Sequence, residues 1–198
     1  QHYRLKGRRS RFAYNVIFSY QIPIFMSGEE FDAEKVSLPD LEKFLFGGSG
    51  PGGWMYGSWL QWQQLEKAKH YEMLEDVKKM IAIRKDNMDL IHGDKQQTNI
   101  LPVKADSRLK PVPYARFVRG EKALIVAVNE SQKRDIDVRL TIPLNKMGMV
   151  SDYFEVEDLW NDKVDIVHKN ELTDLKVHIK KDKQKGGGVF LLKIRPKP

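Results

Sequence analysis

Two neighbouring carboxylates, Glu29 and Glu30, follow a short apolar segment in the stretch QIPIFMSGEEF, which covers positions 21 to 31. Hydrolysis of a glycosidic bond generally needs two carboxyl groups that flank it, about 5 to 5.5 Å apart when configuration is retained. Adjacent residues of an extended chain point to opposite faces, so this pair cannot face one sugar unless the turn is sharply bent. The sequence therefore predicts no catalytic residue here and keeps both carboxylates as candidate binding groups.

A strand and a helix are expected to position this acidic turn. Residues 22 to 26 are apolar on both faces, as expected of a parallel strand that helices cover. Residues 11 to 20 carry apolar side chains at helical spacing, and Pro23 favours an end of that helix just before it. At the end of such a strand Glu30, and less firmly Glu29, can contact a ligand. The alternative is that one of them holds the turn by binding an arginine or a backbone N–H.

A loop rich in glycine and tryptophan comes next along the chain. Residues 47 to 53 have loop composition, and Trp54, Tyr56 and Trp59 follow closely. Flat apolar rings with a polar edge suit sugar rings, but large aromatic side chains are also commonly buried in packing. The sequence leaves both roles open for these three residues. Trp62 adjoins the next helix and is expected to pack.

The remaining two thirds of the chain divide into a helix and a series of strands. Residues 65 to 86 form the strongest helical pattern, with apolar side chains on one face. Residues 87 to 113 contain three prolines and scattered polar residues, which indicates a linker and a first β segment. Residues 136 to 142 alternate between apolar and polar, as in a strand with one wet face. Similar short runs recur along the rest of the chain, and this spacing favours an antiparallel sandwich.

Three of these segments resemble the α-amylase family of glycoside hydrolases, glycoside hydrolase family 13. That family ends its barrel on a strand of pattern Gly-x-Pro, four mostly apolar residues, then Gly-x-Glu. Pro23, Gly28 and Glu30 keep this spacing, while Gln21 stands where the family usually has glycine. The segment IAIRK at positions 81 to 85 resembles the end of the family's final barrel helix. The strand-rich remainder, closing in GVFLLKI, is similar to its small C-terminal β domain.

The resemblance implies a C-terminal fragment of an α-amylase-like hydrolase that acts on α-glucosidic carbohydrate. Residues 1–92 would be the last strand and helices of a (β/α)8 barrel, and residues 93–198 an all-β antiparallel sandwich. The catalytic carboxylates would lie upstream, so the segment alone is predicted to be inactive. The candidate substrate-binding residues are Glu30, Glu29, Trp54, Tyr56 and Trp59. The alternative is a non-catalytic carbohydrate-binding or scaffold module.

The net charge of +7 is unevenly distributed. Cations are concentrated in residues 4 to 11 and 176 to 197, whereas the segment between them is net negative. The lysine-rich run at 180 to 185, followed by three glycines, is typical of a solvated hairpin tip. Because these cations lack interleaved aromatic residues, nucleic-acid binding is not predicted.

Other ligands and partners are constrained by what the sequence lacks. The chain has no cysteine, and its five histidines show no metal-binding spacing, so no metal or cofactor is predicted. No apolar run approaches the roughly 18 residues of a membrane span. The compartment stays open. The expected partners are an oligo- or polysaccharide and the rest of a barrel upstream. An unpaired barrel strand would also expose its edge, so self-association of the fragment is a further alternative.

Overall fold

The computed structural model of the chain describes residues 7–17, 23–25, 27–34, 36–37, 58–91, 98–106, 109 and 112–197. The chain divides into two compact units. One comprises Gln1–Pro23 and Lys78–Pro198, and the other comprises Ile24–Val77. None of the described helices is both long enough and apolar enough to cross a membrane.

The described elements are mostly strands. The helices are α1 (Arg8–Ile17), α2 (Ala68–Asp86), α3 (Met88–Ile91) and α4 (Lys169–Thr173). Short 3-10 turns occupy Glu29–Phe31, Trp62–Glu66 and Leu144–Met147. The strands are β1 (Val36–Ser37), β2 (Ser58–Trp59), β3 (Thr98–Pro102), β4 (Lys104–Ala105), β5 (Tyr114–Val118), β6 (Lys122–Val128), β7 (Ile136–Thr141), β8 (Tyr153–Asp158), β9 (Lys163–His168), β10 (Leu175–Ile179) and β11 (Val189–Pro196).

The larger unit is built on two antiparallel sheets. Six strands are ordered β3-β5-β6-β11-β8-β9, and three are ordered β10-β7-β4. Alternate residues of both sheets enter one apolar core, which includes Phe117 and Ile125 from the first sheet and Val138 and Leu140 from the second. The antiparallel sandwich that the sequence predicts is consistent with this arrangement.

The central strands of the larger sheet are buried on both faces. Ala123, Ile125 and Ala127 of β6 face the core, while Leu124 and Val126 on the other face are also buried. Helix α3 packs against β3 and β5, and α1 packs against β11. These helices therefore cover a sheet face that would otherwise expose apolar side chains to water.

The first turn of α1 is bound by a carboxylate from the other end of the chain. Asp182 Oδ1 accepts hydrogen bonds from the N–H groups of Arg8, at 2.7 Å, and Arg9, at 3.3 Å. Its Oδ2 accepts from the N–H of Ser10, at 2.6 Å, and from the Ser10 hydroxyl, at 2.8 Å. The first N–H groups of a helix have no partner within the helix, and a negative charge there is favourable. Asp182 thus fixes where α1 begins.

Two glycines make room for this carboxylate. A Cβ on Gly7 would lie 2.4 Å from Asp182 Cγ, and a Cβ on Gly188 would lie 2.6 Å from Asp182 Oδ2. Gly188 also has a φ of 78°, which L side chains rarely adopt. The prediction of a solvated hairpin tip is therefore wrong for Asp182, which is only 2% exposed.

The barrel strand that the sequence predicts at 22 to 26 is not found in its described part. Residues 23–25 belong to no strand, and Ile24 is 86% exposed. A parallel strand that is apolar on both faces needs strands on each side and helices above and below. All strand pairs of the described residues are antiparallel, so no such neighbours are present there. The boundary between 1–92 and 93–198 stays a prediction.

Candidate functional site

The acidic turn folds as one tight 3-10 turn in the smaller unit. Gly28 enters it with φ 93° and ψ −16°, a left-handed conformation that favours glycine. A Cβ at this position would also lie 2.6 Å from the Leu60 side chain. The N–H of Ala33 donates to the Gly28 carbonyl at 2.8 Å and closes the turn. The backbone conformation thus requires glycine at position 28, and the missing side chain leaves room for Leu60.

Glu30 is engaged by the turn that carries it. Its Oε2 accepts the N–H of Gly28 at 2.7 Å. Glu29 and Glu30 are both half-buried and lie in the same 3-10 turn rather than in an extended segment. Side chains of a 3-10 helix are about a third of a turn apart, so the two carboxylates diverge. Glu30 therefore stabilises its own turn, as the alternative interpretation of the sequence expects, and the pair does not converge on one point.

Phe31 ends the turn and is fully buried. The Trp62 ring lies 5.6 Å from the Phe31 ring between centroids, tilted by 38°. The ring of His70 meets Phe31 edge-on, with 6.4 Å between centroids. His70 Nδ1 is 2.8 Å from the Phe31 carbonyl oxygen, which can only accept, so Nδ1 carries the proton. Phe31 is therefore held by its ring and by its backbone.

Glu34 attaches the end of the acidic turn to the segment before α2. Its N–H donates to Gln64 Oε1 at 2.7 Å, and the Gln64 amide donates back to the Glu34 carbonyl at 2.8 Å. Lys69 forms an ion pair with the Glu34 carboxylate. The hydrogen bond from Lys69 lowers the pKa of Glu34 below its usual value. These contacts fix the turn relative to Trp62.

Trp62 presents an open aromatic surface on this framework. Its side chain is 57% exposed although one part of the ring contacts buried Phe31. A tryptophan that is fixed beneath and open above can stack on an apolar face of a ligand. The position of Trp62 beside a helix predicted that its side chain packs. Its contact with the Phe31 ring joins residues far apart in the sequence, which local spacing does not reveal.

The other predicted aromatic residues are not brought into this site by the described structure. Trp54 and Tyr56 lie outside the described residues. Trp59 is in β2, where it pairs with Val36 of β1, and its side chain is not among the described ones. The predicted binding roles of Glu30, Glu29, Trp54, Tyr56 and Trp59 thus stay predictions.

The turn between β8 and β9 is held by the carboxylate of Asp158. Asp158 Oδ1 accepts the N–H groups of Trp160 and Asn161, each at 3.0 Å, and Oδ2 accepts the Asn161 amide at 2.7 Å. Within the described ranges, no group of three His, Cys, Asp or Glu side chains is placed to hold a metal ion. Asp158 therefore closes its own turn.

His178 lies between two aspartates on the three-stranded sheet. Its Nδ1 is 2.8 Å from Asp137 Oδ1, and its Nε2 is 3.5 Å from Asp135 Oδ2. The hydrogen bond with Asp137 raises the pKa of His178 above its usual value. The backbone N–H of Lys181 lowers the pKa of Asp135, so that carboxylate stays ionised.

We expect His178→Gln to lower the melting temperature at about pH 6 and to have almost no effect at about pH 9. A raised folded pKa means that the charged histidine stabilises the fold fully below its unfolded pKa of 6.5. This contribution is lost as the pH rises through the folded pKa. Thermal unfolding of both proteins across this range measures it. A melting-temperature difference that does not change with pH would contradict the assigned interaction.

The chain is only weakly similar to known proteins. No family model matches the sequence, and no curated protein is similar enough to count as a relative. Among solved structures, a GH27 β-L-arabinopyranosidase variant from Geobacillus stearothermophilus in complex with arabinose is 13% identical, with a TM-score of 0.36 over 67% of this chain and 25% of that one. The wild-type enzyme is 14% identical, with a TM-score of 0.36 over 66% and 24%. The α-galactosidase I of Mortierella vinacea is 14% identical, with a TM-score of 0.38 over 66% and 29%.

These similar structures are glycoside hydrolases, but they are not α-amylases. Two of them are described as family 27 enzymes, so the assignment to family 13 was wrong. The three residues Pro23, Gly28 and Glu30 that carried it span only a short segment, and its described residues, 23–25 and 27–30, belong to no strand. The chain spans about a quarter of the length of the structures it matches, between 24% and 29%.

Proposed function

We propose that this chain is a non-catalytic part of a glycoside hydrolase and that its acidic turn binds carbohydrate against Trp62. The observation that carries the proposal is the half-exposed Trp62 ring, which rests on fully buried Phe31. Glu29 and Glu30 belong to the same turn as Phe31. An aromatic face suits the apolar C–H face of a sugar ring, and carboxylate oxygens accept hydrogen bonds from its hydroxyl groups.

The rigidity of the turn supports a binding role. Gly28, Glu30 and Glu34 each make a contact that fixes the backbone beside Trp62. A surface that is already ordered loses little conformational freedom when a ligand binds, and this saving increases affinity. Trp54, Tyr56 and Trp59 remain proposed members of the same surface.

The same geometry supports a non-catalytic role. Glycoside hydrolysis needs a proton donor and a facing carboxylate on opposite sides of one bond. Glu29 and Glu30 diverge from one 3-10 turn, and the Glu30 carboxylate is bound to the Gly28 N–H. We therefore assign both groups to binding and to stabilisation of the turn.

A scaffold role for the β-rich unit is supported by a separate observation. Asp182 binds the first turn of α1 through two N–H groups on one oxygen and Ser10 on the other. This attaches the N-terminal helix to the sandwich across more than 170 residues of sequence. A scaffold role and a carbohydrate-binding role are compatible, because they use different residues.

Replacing Trp62 by alanine tests the binding proposal. We expect neutral oligosaccharides to bind the chain with a Kd of about 1 mM, or about 4 kcal/mol, because the surface is open on one side. The titration panel contains gluco-, galacto- and arabino-configured oligosaccharides. Trp62→Ala should weaken binding of the preferred sugar at least about tenfold, which corresponds to about 1.4 kcal/mol.

Tyr71→Ala is the matched control, because this substitution also removes an aromatic ring. Tyr71 lies on α2 and is 54% exposed. Isothermal titration calorimetry measures the sugar affinity of both variants, and far-UV circular dichroism checks that they fold. Equal affinity of Trp62→Ala and the unmodified chain would contradict the proposal. So would the absence of binding by every sugar at about 50 mM, well above the expected Kd.

A further inference from the structure

Asp182 brings together segments that are rich in cations and far apart in the sequence. The loop between β10 and β11 carries Lys180, Lys181, Lys183 and Lys185, and it contacts the start of α1, where Arg8 is exposed. The N–H of Asp182 donates to the Ser131 carbonyl at 2.8 Å, which adds the loop between β6 and β7. That loop contributes a further pair of exposed cations, Lys133 and Arg134. We call these seven residues the basic face.

Five cations of the basic face are available to a partner. Lys133, Arg134, Lys180, Lys183 and Lys185 are exposed. In the described part of the chain, none of these five side chains forms an ion pair. Four carboxylates, Glu130, Asp135, Asp137 and Asp182, lie on these loops and on β7. Asp135 and Asp137 contact His178, and Asp182 is bound to the start of α1. Positive charge is therefore in excess on this surface.

The backbone of the loop fixes how the lysines are displayed. The N–H of Gly188 donates to the Lys180 carbonyl at 2.9 Å, and that of Gln184 donates to the Lys181 carbonyl at 3.1 Å. A Cβ on Gly187 would lie 2.0 Å from the Lys181 carbonyl oxygen, so only glycine fits there. Asp182 turns inward to bind α1, whereas Lys183 beside it is exposed and Lys181 is half-buried. The loop is thus a fixed array of positive charges.

We propose that the basic face binds an acidic polysaccharide that carries carboxylate or sulfate groups. Lysine ammonium groups act as point charges, and they suit anionic groups repeated along a flexible polymer. Residues 7–10, 130–135 and 180–188 contain no aromatic side chain on which a nucleic-acid base could stack. The choice of a polysaccharide rests on the proposed carbohydrate function, whereas the positive charge of the surface does not.

The test compares a charge reversal on the basic face with the same reversal elsewhere. Lys183→Glu combined with Lys185→Glu should weaken binding of polygalacturonate at least about tenfold at about 50 mM salt. The control, Lys146→Glu combined with Lys163→Glu, changes the net charge equally at exposed positions outside the basic face. It should stay within about twofold of the unmodified chain. Raising the salt to about 200 mM should weaken the unmodified complex, since salt screens charge pairs.

Three outcomes of these binding measurements would overturn this inference. The first is no binding of polygalacturonate at the lower salt concentration, and the second is an equal loss in both double variants, which would indicate net charge alone. The third is tighter binding of duplex DNA than of polygalacturonate at equal charge concentration, which would assign the surface to nucleic acid. Neutral dextran should not respond to either charge reversal.

Two variants, Trp62→Ala and the double variant at 183 and 185, test this inference and the proposed function independently. Trp62→Ala should weaken neutral oligosaccharides and leave polygalacturonate unchanged, while the double variant at 183 and 185 should do the reverse. If neutral sugars do not bind but polygalacturonate does, only the proposed function fails. If Trp62→Ala abolishes binding of polygalacturonate, the basic face is not a separate surface and this inference fails.

Discussion

Asp182→Ala is expected to lower the free energy of unfolding of the β-rich unit by about 3 to 5 kcal/mol. The substitution removes a buried carboxylate that accepts hydrogen bonds from Arg8, Arg9 and Ser10. The N–H groups of the first turn of α1 would then be left without partners in a buried position. Urea unfolding followed by circular dichroism measures the loss.

Asp165→Ala is the control for this prediction, because Asp165 is exposed on the edge strand β9. It should change the free energy of unfolding by about 0.5 kcal/mol or less. Amide hydrogen exchange gives a local readout, since residues 8 to 10 should exchange faster in Asp182→Ala. A loss below about 1 kcal/mol, with those amides still protected, would show that Asp182 does not hold α1.

Phe31→Ala is expected to destabilise the smaller unit by about 3 to 5 kcal/mol, the usual range for a buried phenylalanine. Phe31 is fully buried and contacts the rings of Trp62 and His70. Its loss leaves a cavity beneath Trp62, so the tryptophan should become more mobile. Carbohydrate binding should weaken with it, because the aromatic surface is no longer fixed.

Unfolding in urea and the fluorescence anisotropy of tryptophan measure these two effects. Phe25→Ala is the comparison, since Phe25 lies in the same unit and is 36% exposed. It should cost about 1 kcal/mol or less. An unchanged urea midpoint for Phe31→Ala would mean that Phe31 does not support the turn.

The strands and helices that the sequence predicts well are those with a local signal. The alternation at 136 to 142 becomes β7, with Val138 and Leu140 in the core. The helical pattern at 65 to 86 becomes α2, which begins three residues later because a 3-10 turn precedes it. In α2 the structure buries Met80 and Ile83 and leaves Ile81 half-buried.

The features that the sequence did not reveal depend on distant partners. The contact between Asp182 and Ser10 joins residues 172 positions apart, and the pair of Glu34 and Gln64 is separated by 30. No local pattern encodes such contacts, so Asp182 resembled a solvated residue and Trp62 a packed one. The acidic turn itself was found, because glycine followed by two glutamates is a local feature.

The two cationic ends of the chain illustrate the same limit. They lie far apart in the sequence, yet Asp182 places the start of α1 beside the lysine-rich loop. The prediction of a barrel strand was wrong for a different reason. An apolar run such as residues 22 to 26 indicates burial only when neighbouring strands exist to cover it.

The most direct test of carbohydrate binding by Trp62 is a titration with the preferred neutral oligosaccharide. The indole N–H signal of Trp62 is followed in ¹H–¹⁵N correlation spectra. Trp62→Phe assigns the signal by its disappearance. We expect this signal to shift progressively with sugar concentration, while the signal of Trp160, whose indole donates to the Gly186 carbonyl at 2.7 Å, stays in place. A Trp62 signal that does not move while the sugar binds would place the binding surface elsewhere and contradict the proposed role of Trp62.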